Sequence, residues 1–474
     1  MINIQIGGNC KTKIIFVYKD FDNAIPHIVK EVFDASFLSC FPLIQENSKL
    51  VLYVGLENRN EFNVRKMMDA VAKGVKQLEK YNQQEAEIDL SVFIEKFGIK
   101  CIRNVVLGVE LGLYKFSQYC TENKDNFFRF FLKGIQEDQA ALAQECLRKD
   151  ENLAAGVVST RNLVNTPSNL LTPDKMANAM KLEAEQCGVQ VEILDELQIA
   201  AMGMGAFLSV GNSSGNPPRL IVLRYFAAPE SPVRTALVGK GVTCDTGGYC
   251  LKSRDSMLGI KGDMAGGAAV ANAIFTLAKN GIKTNVVGVI PACENRISRQ
   301  SFTPGDIVKS MSGKTIEIQN TDAEGRLILA DAVTYAIRIE GATRVLDIAT
   351  LTGAVVGAFG FTTAGVLTNS DLLWHELEFA ADVSGEQYWR LPIFPEYEEM
   401  IQSKIADIKN MGEHYCGTIS AGLFIKAFSE NLPWIHLDIA GTAWVDKPVF
   451  EHQTVGATGA SVITLYDFLS TEAG

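Results

Sequence analysis

The segment TALVGKGVTCDTGGYCLK, residues 235–252, decides the fold class. It opens as a short apolar run, Thr235 to Gly239, and then becomes polar and glycine-rich through Lys240, Asp245, Gly247 and Gly248. A run of that length bounded by glycines reads as a buried strand followed by a loop. Working outward, further strands are expected at Val189–Leu194, Leu220–Phe226, Asn285–Ile290, Arg344–Ile348 and Ile435–Ile439. Helical patterns separate them, notably Ala265–Lys279 and Leu327–Ile339. Thr172-Pro173 supplies an N-cap and first helical residue, and Gly188 can end that helix. Strands alternating with helices imply an α/β domain whose mainly parallel sheet is flanked by helices. Sites in such sheets lie beyond the C-terminal ends of the strands.

Upstream, residues 1–135 read as a smaller α/β domain. Lys13–Tyr18, Leu50–Leu56 and Val105–Leu113 look like strands. Val64, Met67, Met68, Val71, Val75 and Leu78 fall on one helical face. No catalytic constellation stands out there. Residues 136–164 form a linking helix rich in Ala, Leu, Glu and Gln, and turn formers follow at Asn165-Thr166-Pro167-Ser168-Asn169. Residues 165–474 are then the expected catalytic domain.

Length and composition fit this division. A chain of 474 residues with 47% hydrophobic and 21% charged residues can build more than one core without disulfide support. The net charge of -11, with no block of either sign, argues against nucleic acid or an anionic membrane as the main partner. No run of about 18 apolar residues offers a membrane span. The opening MINIQIGGNCKTKIIFVYKDF alternates like a strand and is not built like a secretory signal. The ten cysteines include no CxxC pair and read as reduced thiols, which points to the cytoplasm.

Two segments carry polar residues directly after strands: the one quoted above, running on to Asp263, and NTDAEGRL at 320–327. Asp322 and Glu324 sit two apart, just before a helical pattern. Converging carboxylates repel unless one takes a proton or both bind a cation, and hard oxygen ligands suit divalent ions. Taken alone, this pair reads first as a solvated acidic turn or an acidic cap on the helix that follows. Asp263 by itself reads as either an N-cap or a ligand. Lys240 stands in Gly-Lys-Gly, which lacks the spacing of a phosphate loop.

Together these stretches resemble the leucyl aminopeptidase, or cytosol aminopeptidase, family. The matching pieces are VGKGVTCDTGGYCLK (238–252), KGDMAGGAA (261–269), NTDAEGRLILADA (320–332), ATLTGA (349–354), HLDIAGTAW (436–444) and NTPSNLLTP (165–173). The resemblance spans about residues 160–465 and implies a two-metal aminopeptidase acting on short peptides with a free N-terminus. Carried over by position, Asp245 and Glu324 would bridge two divalent ions, with Asp322 completing one site and Lys240 and Asp263 the other. Four carboxylates balance two dications only if Lys240 binds as a neutral amine. Lys252 and Arg326 would be catalytic: Lys252 polarises the scissile carbonyl, and Arg326 holds a small anion, bicarbonate in this family, as general base. A water held by the metals would be the nucleophile. Thr350, Leu351 and Gly353 would bind substrate backbone. Oxygen ligands with one nitrogen fit zinc, manganese, magnesium or cobalt.

The resemblance also implies a homohexamer whose active sites face an internal cavity. Thr246, Cys244, Tyr249-Cys250 and Ile260 depart from the family's common residues, and Cys250 and Ile260 bear on side-chain preference. None of the five histidines forms HExxH, and His436 reads as a packed strand residue. Two rivals remain: a DNA-binding accessory role, known in some members of the family, and metal-dependent phosphoester hydrolysis. A basic surface would favour the first, and turnover of phosphate esters the second.

Overall fold

A computed structural model describes residues 1–20, 25–45, 49–121 and 127–470. The chain forms two compact units: residues 1–158 with 447–455, and residues 159–446 with 456–474.

The first unit is built on strands β1 (Ile2–Ile6), β2 (Lys13–Val17), β3 (Cys40–Gln45), β4 (Lys49–Gly55), β5 (Glu85–Asp89) and β6 (Phe128–Lys133). They form one sheet in the order β1-β6-β5-β2-β4-β3, parallel except for the β3–β4 pair. Helix Val64–Lys80 begins where the Asn63 side chain accepts from the Lys66 amide, and it buries Met67, Met68, Val71, Val75 and Leu78. The stretch expected as a strand at Val105–Leu113 is instead part of helix Ile102–Gly112. Its residues are almost all apolar and buried, so neither a two-residue nor a 3.6-residue period shows. Gly108 explains the close packing: a Cβ there would sit 2.9 Å from the Met68 carbonyl on the neighbouring helix.

Helix Ala140–Asn165 runs from the first unit into the second. Among the described residues, no helix is long and apolar enough to cross a membrane.

The second unit carries β7 (Gln190–Leu194), β8 (Arg219–Phe226), β9 (Thr235–Gly239), β10 (Gly241–Asp245) and β11 (Asn285–Asn295). After β12 (Ile307–Lys309) and β13 (Thr315–Glu317) come β14 (Arg344–Ala349), β15 (Thr363–Thr368), β16 (Gln387–Arg390), β17 (Ile408–Lys409) and β18 (Trp434–Asp438). The main sheet runs β16-β15-β18-β14-β9-β11-β8-β7, with β10 also paired to β11; β12, β13 and β17 form a small separate sheet. Its centre, β18-β14-β9-β11, is parallel, and β9, β11, β14 and β18 are buried along their whole length. Helices Ala265–Lys279 and Glu324–Arg338 pack against this centre. Helix Pro173–Cys187 has the expected ends, with Thr172 capping the Lys175 amide and Gly188 left-handed at φ 76°.

The long strand β11 changes partner midway. Residues 286–289 pair with β9 and residues 292–295 with β10. Pro291, which has no N–H to give a ladder, sits between these two stretches. Lys240 occupies the matching break between β9 and β10.

Candidate metal centre

The C-terminal ends of β9, β10, β11 and β14 converge on one region, and the sequence-derived residues gather there. A cleft of about 370 Å³ is lined by Lys240, Asp245, Lys252, Asp263, Asp322, Glu324, Arg326, Thr350, Leu351 and Gly353, among others.

Lys240 is almost fully buried. Its Nζ lies 2.7 Å from Asp263, 2.8 Å from Glu324 Oε1 and 3.0 Å from the Thr350 carbonyl. Burial works against its charge, but Asp263, Glu324 and Asp245 outweigh that and hold the ammonium above its ordinary range. The side chain crosses the first turn of helix Glu324–Arg338 at Gly325, where a Cβ would meet Lys240 Cε at 2.5 Å. Glycine in NTDAEGRL is therefore required by the lysine that lies over it.

Asp263 does not cap the helix after it. The N-cap is Met264, with no side-chain cap. Asp263 instead takes Lys240 and accepts from the Thr350 hydroxyl at 2.8 Å. Burial pushes its carboxyl well above the usual range, against the pull of Lys240. Thr350 thus holds both Asp263 and Lys240, one through its hydroxyl and one through its carbonyl.

Asp245 ends β10. Its Oδ1 accepts from the Gly247 amide at 3.0 Å and from Asn295 Nδ2 at 2.8 Å, and its Oδ2 lies 2.7 Å from Lys252 Nζ. Lys252 also contacts Asp322 Oδ1 at 2.5 Å. Burial opposes the charge on Lys252, but Asp245, Glu324, Asp263 and Asp322 keep it protonated. Asp322 is pushed up to about 6, first by burial and then by Asp245 and Glu324.

Asp245, Asp322 and Glu324 each offer an oxygen, and the three oxygens lie within 4.8 Å of one another. Glu324 is 1% exposed, and among the described residues neither of its oxygens accepts a directed hydrogen bond; Lys240 is its close ionic contact. The Lys240 ammonium answers Oε1, and a buried carboxylate oxygen left like Oε2 is costly unless a cation meets it. The donor set therefore fits divalent ions: hard carboxylate oxygens from four residues and one amine nitrogen.

Arg326 leaves the same first helical turn, and its Nη1 donates to the Asn410 carbonyl at 2.9 Å. Burial lowers it to about 10, so it stays charged at neutral pH. Its Nε is buried and has no hydrogen-bond partner among the described residues. Leu351 and Gly353 follow β14 on the cleft wall, where Asp438 accepts from the amide of Leu351 at 3.1 Å and the hydroxyl of Thr352 at 2.6 Å.

Two organising residues, Asn295 and Asn410, carry no sequence signal, and a third, Asp438, lies in HLDIAGTAW without a role assigned there. Asn410 receives the amides of Gln319 and Asn320 and donates to the Asn320 carbonyl, which fixes the turn before Asp322. Each is a single polar residue at a strand end or in a loop. His436 is a buried strand residue hydrogen-bonded through Nδ1 to Asp347, and Trp434 donates to the same carboxylate.

A family model described as the cytosol aminopeptidase family, catalytic domain, matches residues 158–466, and the N-terminal domain model of the same family matches residues 36–123. The chain is 41% identical over 446 residues to the probable cytosol aminopeptidase of Clostridium perfringens (strain 13 / Type A), covering 92% of this chain and 90% of that protein. To its counterpart in Treponema denticola it is 37% identical over 474 residues, covering 99% of each. Among solved structures, the bottromycin maturation enzyme BotP superposes with a TM-score of 0.89 at 28% identity, over 98% of this chain and 100% of that one. The same enzyme in complex with Mn superposes equally well.

Proposed function

The chain belongs to the cytosol aminopeptidase family and is a peptide hydrolase of that class; from this premise we propose that it removes the N-terminal residue from short peptides with the help of two divalent ions. One observation carries the reading: three carboxylates, Asp245, Asp322 and Glu324, converge beside two cationic side chains, Lys252 and Arg326, in a single cleft. Asp245, Asp263, Asp322, Glu324 and Lys240 would hold the ions, zinc or manganese, with magnesium or cobalt as alternatives. When bound, such ions acidify water and polarise a carbonyl.

The chain's own residues do the rest. Lys252, held between Asp245 and Asp322, would stabilise negative charge growing on the scissile carbonyl oxygen. Arg326 stays charged, and its buried Nε is free to hold a small anion such as bicarbonate, which would take up the proton. The backbone of Thr350, Leu351 and Gly353 would align the substrate chain along the cleft wall. A cytoplasmic homohexamer, with access restricted to short peptides, completes the proposal.

The test is release of p-nitroaniline from leucine p-nitroanilide with added manganese or zinc. Metal-dependent release, lost on chelation and absent when the substrate amine is acetylated, is the expected result. A metal-loaded chain inactive on several amino-acyl substrates would overturn the reading. Turnover of phosphate esters instead would support phosphoester hydrolysis, and salt-sensitive retention on DNA a binding role.

A further inference from the structure

We infer that Asn295 is a positioning residue, a single buried amide that sets the spacing between the two carboxylate-bearing segments of the site. The inference rests on the proposed metal reading of Asp245, Asp322 and Glu324 and adds to it a residue that touches neither ion nor substrate.

Asn295 is the last residue of β11 and is fully buried. Its Nδ2 donates to Asp245 Oδ1 at 2.8 Å and to the Thr321 carbonyl at 3.0 Å. One amide group therefore ties the end of β10 to the residue just before Asp322. The amide orientation follows from its partners. Reversed, the carbonyl oxygen would face two acceptors, a carboxylate and a carbonyl. In the orientation that donates, Oδ1 has no partner among the described residues, a cost the chain accepts in order to make both bonds.

The register of the sheet brings Asn295 to this place. Between Val242 and Cys244 the β10–β11 pairing shifts, so Asp245 stands opposite Asn295. A bulge re-aims the side chains that follow it. The Asn295 carbonyl then accepts from both the amide and the hydroxyl of Thr246, at 3.0 and 2.9 Å, which fixes the residue after Asp245 as well. With Oδ1 of Asp245 taken by Gly247 and Asn295, only Oδ2 is turned toward Lys252 and the cleft. The Thr321 hydroxyl adds a second tie, to the Gly247 carbonyl at 2.6 Å. Without Asn295, Asp245 can rotate and the turn carrying Asp322 and Glu324 can drift away from it.

Partners of this kind, one step removed from the ligands, change metal affinity by about 10–100-fold. The experiment is calorimetric titration of the full chain, stripped of metal, with Mn²⁺ alone. Asn295→Leu, which keeps the size and removes both donors, is compared with wild type and with Ser214→Ala. Ser214→Ala loosens the adjoining Glu294, whose carboxylate Ser214 contacts at 2.5 Å, without touching Asp245. The expected result is Mn²⁺ binding weakened at least about tenfold in Asn295→Leu and unchanged in Ser214→Ala, at a temperature where melting curves show all three folded. If Asn295→Leu does not fold, Asn295→Ser carries the same expectation. Equal affinity in wild type and the Asn295 variants would overturn the clamp alone. A wild-type chain that takes up no Mn²⁺ would overturn the metal reading and the clamp with it.

Discussion

Replacing Gly325 with alanine adds one methyl group at the most crowded point of the site. The new Cβ would lie 2.5 Å from Lys240 Cε, 2.7 Å from Nζ and 2.9 Å from Cδ. Carbon atoms pack at about 3.5–4.0 Å, so the lysine must retreat by roughly 1 Å. A long side chain could normally swing aside, but Lys240 is 3% exposed and fixed by Asp263, Glu324 and the Thr350 carbonyl. Contacts of 2.7–3.0 Å would stretch past hydrogen-bonding range. Breaking a buried ion pair costs about 3–5 kcal/mol. Alanine returns up to about 1 kcal/mol of helix propensity. The metal-free protein should therefore lose about 2–4 kcal/mol. A displacement of this size among reacting groups costs on the order of 100-fold in rate. The assay pairs kcat/KM on leucine p-nitroanilide with thermal unfolding of the metal-free chain. Gly357→Ala serves as the control, since a Cβ there meets nothing within 4 Å; it should leave activity intact and add about 0.5–1 kcal/mol of stability. Activity of Gly325→Ala within about threefold of wild type, with an unchanged melting temperature, would show that the lysine's seat over the helix does not matter.

Glu324→Gln keeps the shape of the side chain and removes its charge; kcat/KM should fall at least about 1000-fold, and Mn²⁺ measured after dialysis should fall with it. Lys252→Met should lower kcat by about 100–1000-fold and change KM much less, because the ammonium acts on charge that develops during reaction; a raised KM with kcat unchanged would place it in ground-state binding instead. Glu110, on helix Ile102–Gly112, is pushed up to about 7, first by burial and then by Glu151. A raised carboxyl favours the protonated folded state, so wild-type stability should fall as pH rises from about 4.5 to 7 and level off above that. Glu110→Gln should flatten this slope by Glu110's share and gain about 1–2 kcal/mol at pH 8, a figure discounted for its partial exposure; urea unfolding of both proteins at pH 5 and pH 8 checks it.

Much of the second unit's scaffold is legible in the chain because most of its central strands are short, largely apolar runs closed by glycine or polar residues. Helix Ala265–Lys279 lies where the pattern puts it. The expected strand at Val105–Leu113 fails because a helix buried all round shows no period. The expected strand ends at Ile290, just before Pro291, whereas β11 continues to Asn295. In the fold that proline stands where the strand exchanges β9 for β10, and the four strand residues beyond it include Asn295. Acidic residues advertise themselves, so Asp245, Asp263, Asp322 and Glu324 are visible from the chain, and the structure brings them into one cleft. Asn295 and Asn410 are not visible, because a lone amide in a strand end or loop has no pattern and its meaning lies in partners distant along the chain. Thr350 is a middle case: its place after a strand suggests a backbone role, but its hydroxyl is committed to Asp263.

The charges in the cleft follow a pairing that spacing alone does not reveal. Lys240 joins Asp263 to Glu324, and Lys252 joins Asp245 to Asp322. Each lysine thus spans from the β9–β10 side of the sheet to the same turn, residues 322–324. That turn must hold two carboxylates close to two others, and mutual repulsion would open it if the lysines did not answer them. The pairing makes the residues interdependent. Removing Lys252 leaves Asp245 and Asp322 facing each other, whereas removing Lys252 together with Asp322 leaves one carboxylate with its remaining hydrogen bonds from Gly247 and Asn295. The double replacement should therefore cost the metal-free fold less than the sum of the single ones, because residues in one ionic network do not contribute independently. By the same reasoning, the stability of this region and its capacity for chemistry share the same atoms: the carboxylates that make the site useful are held in place by the cations and amides that make it affordable to fold.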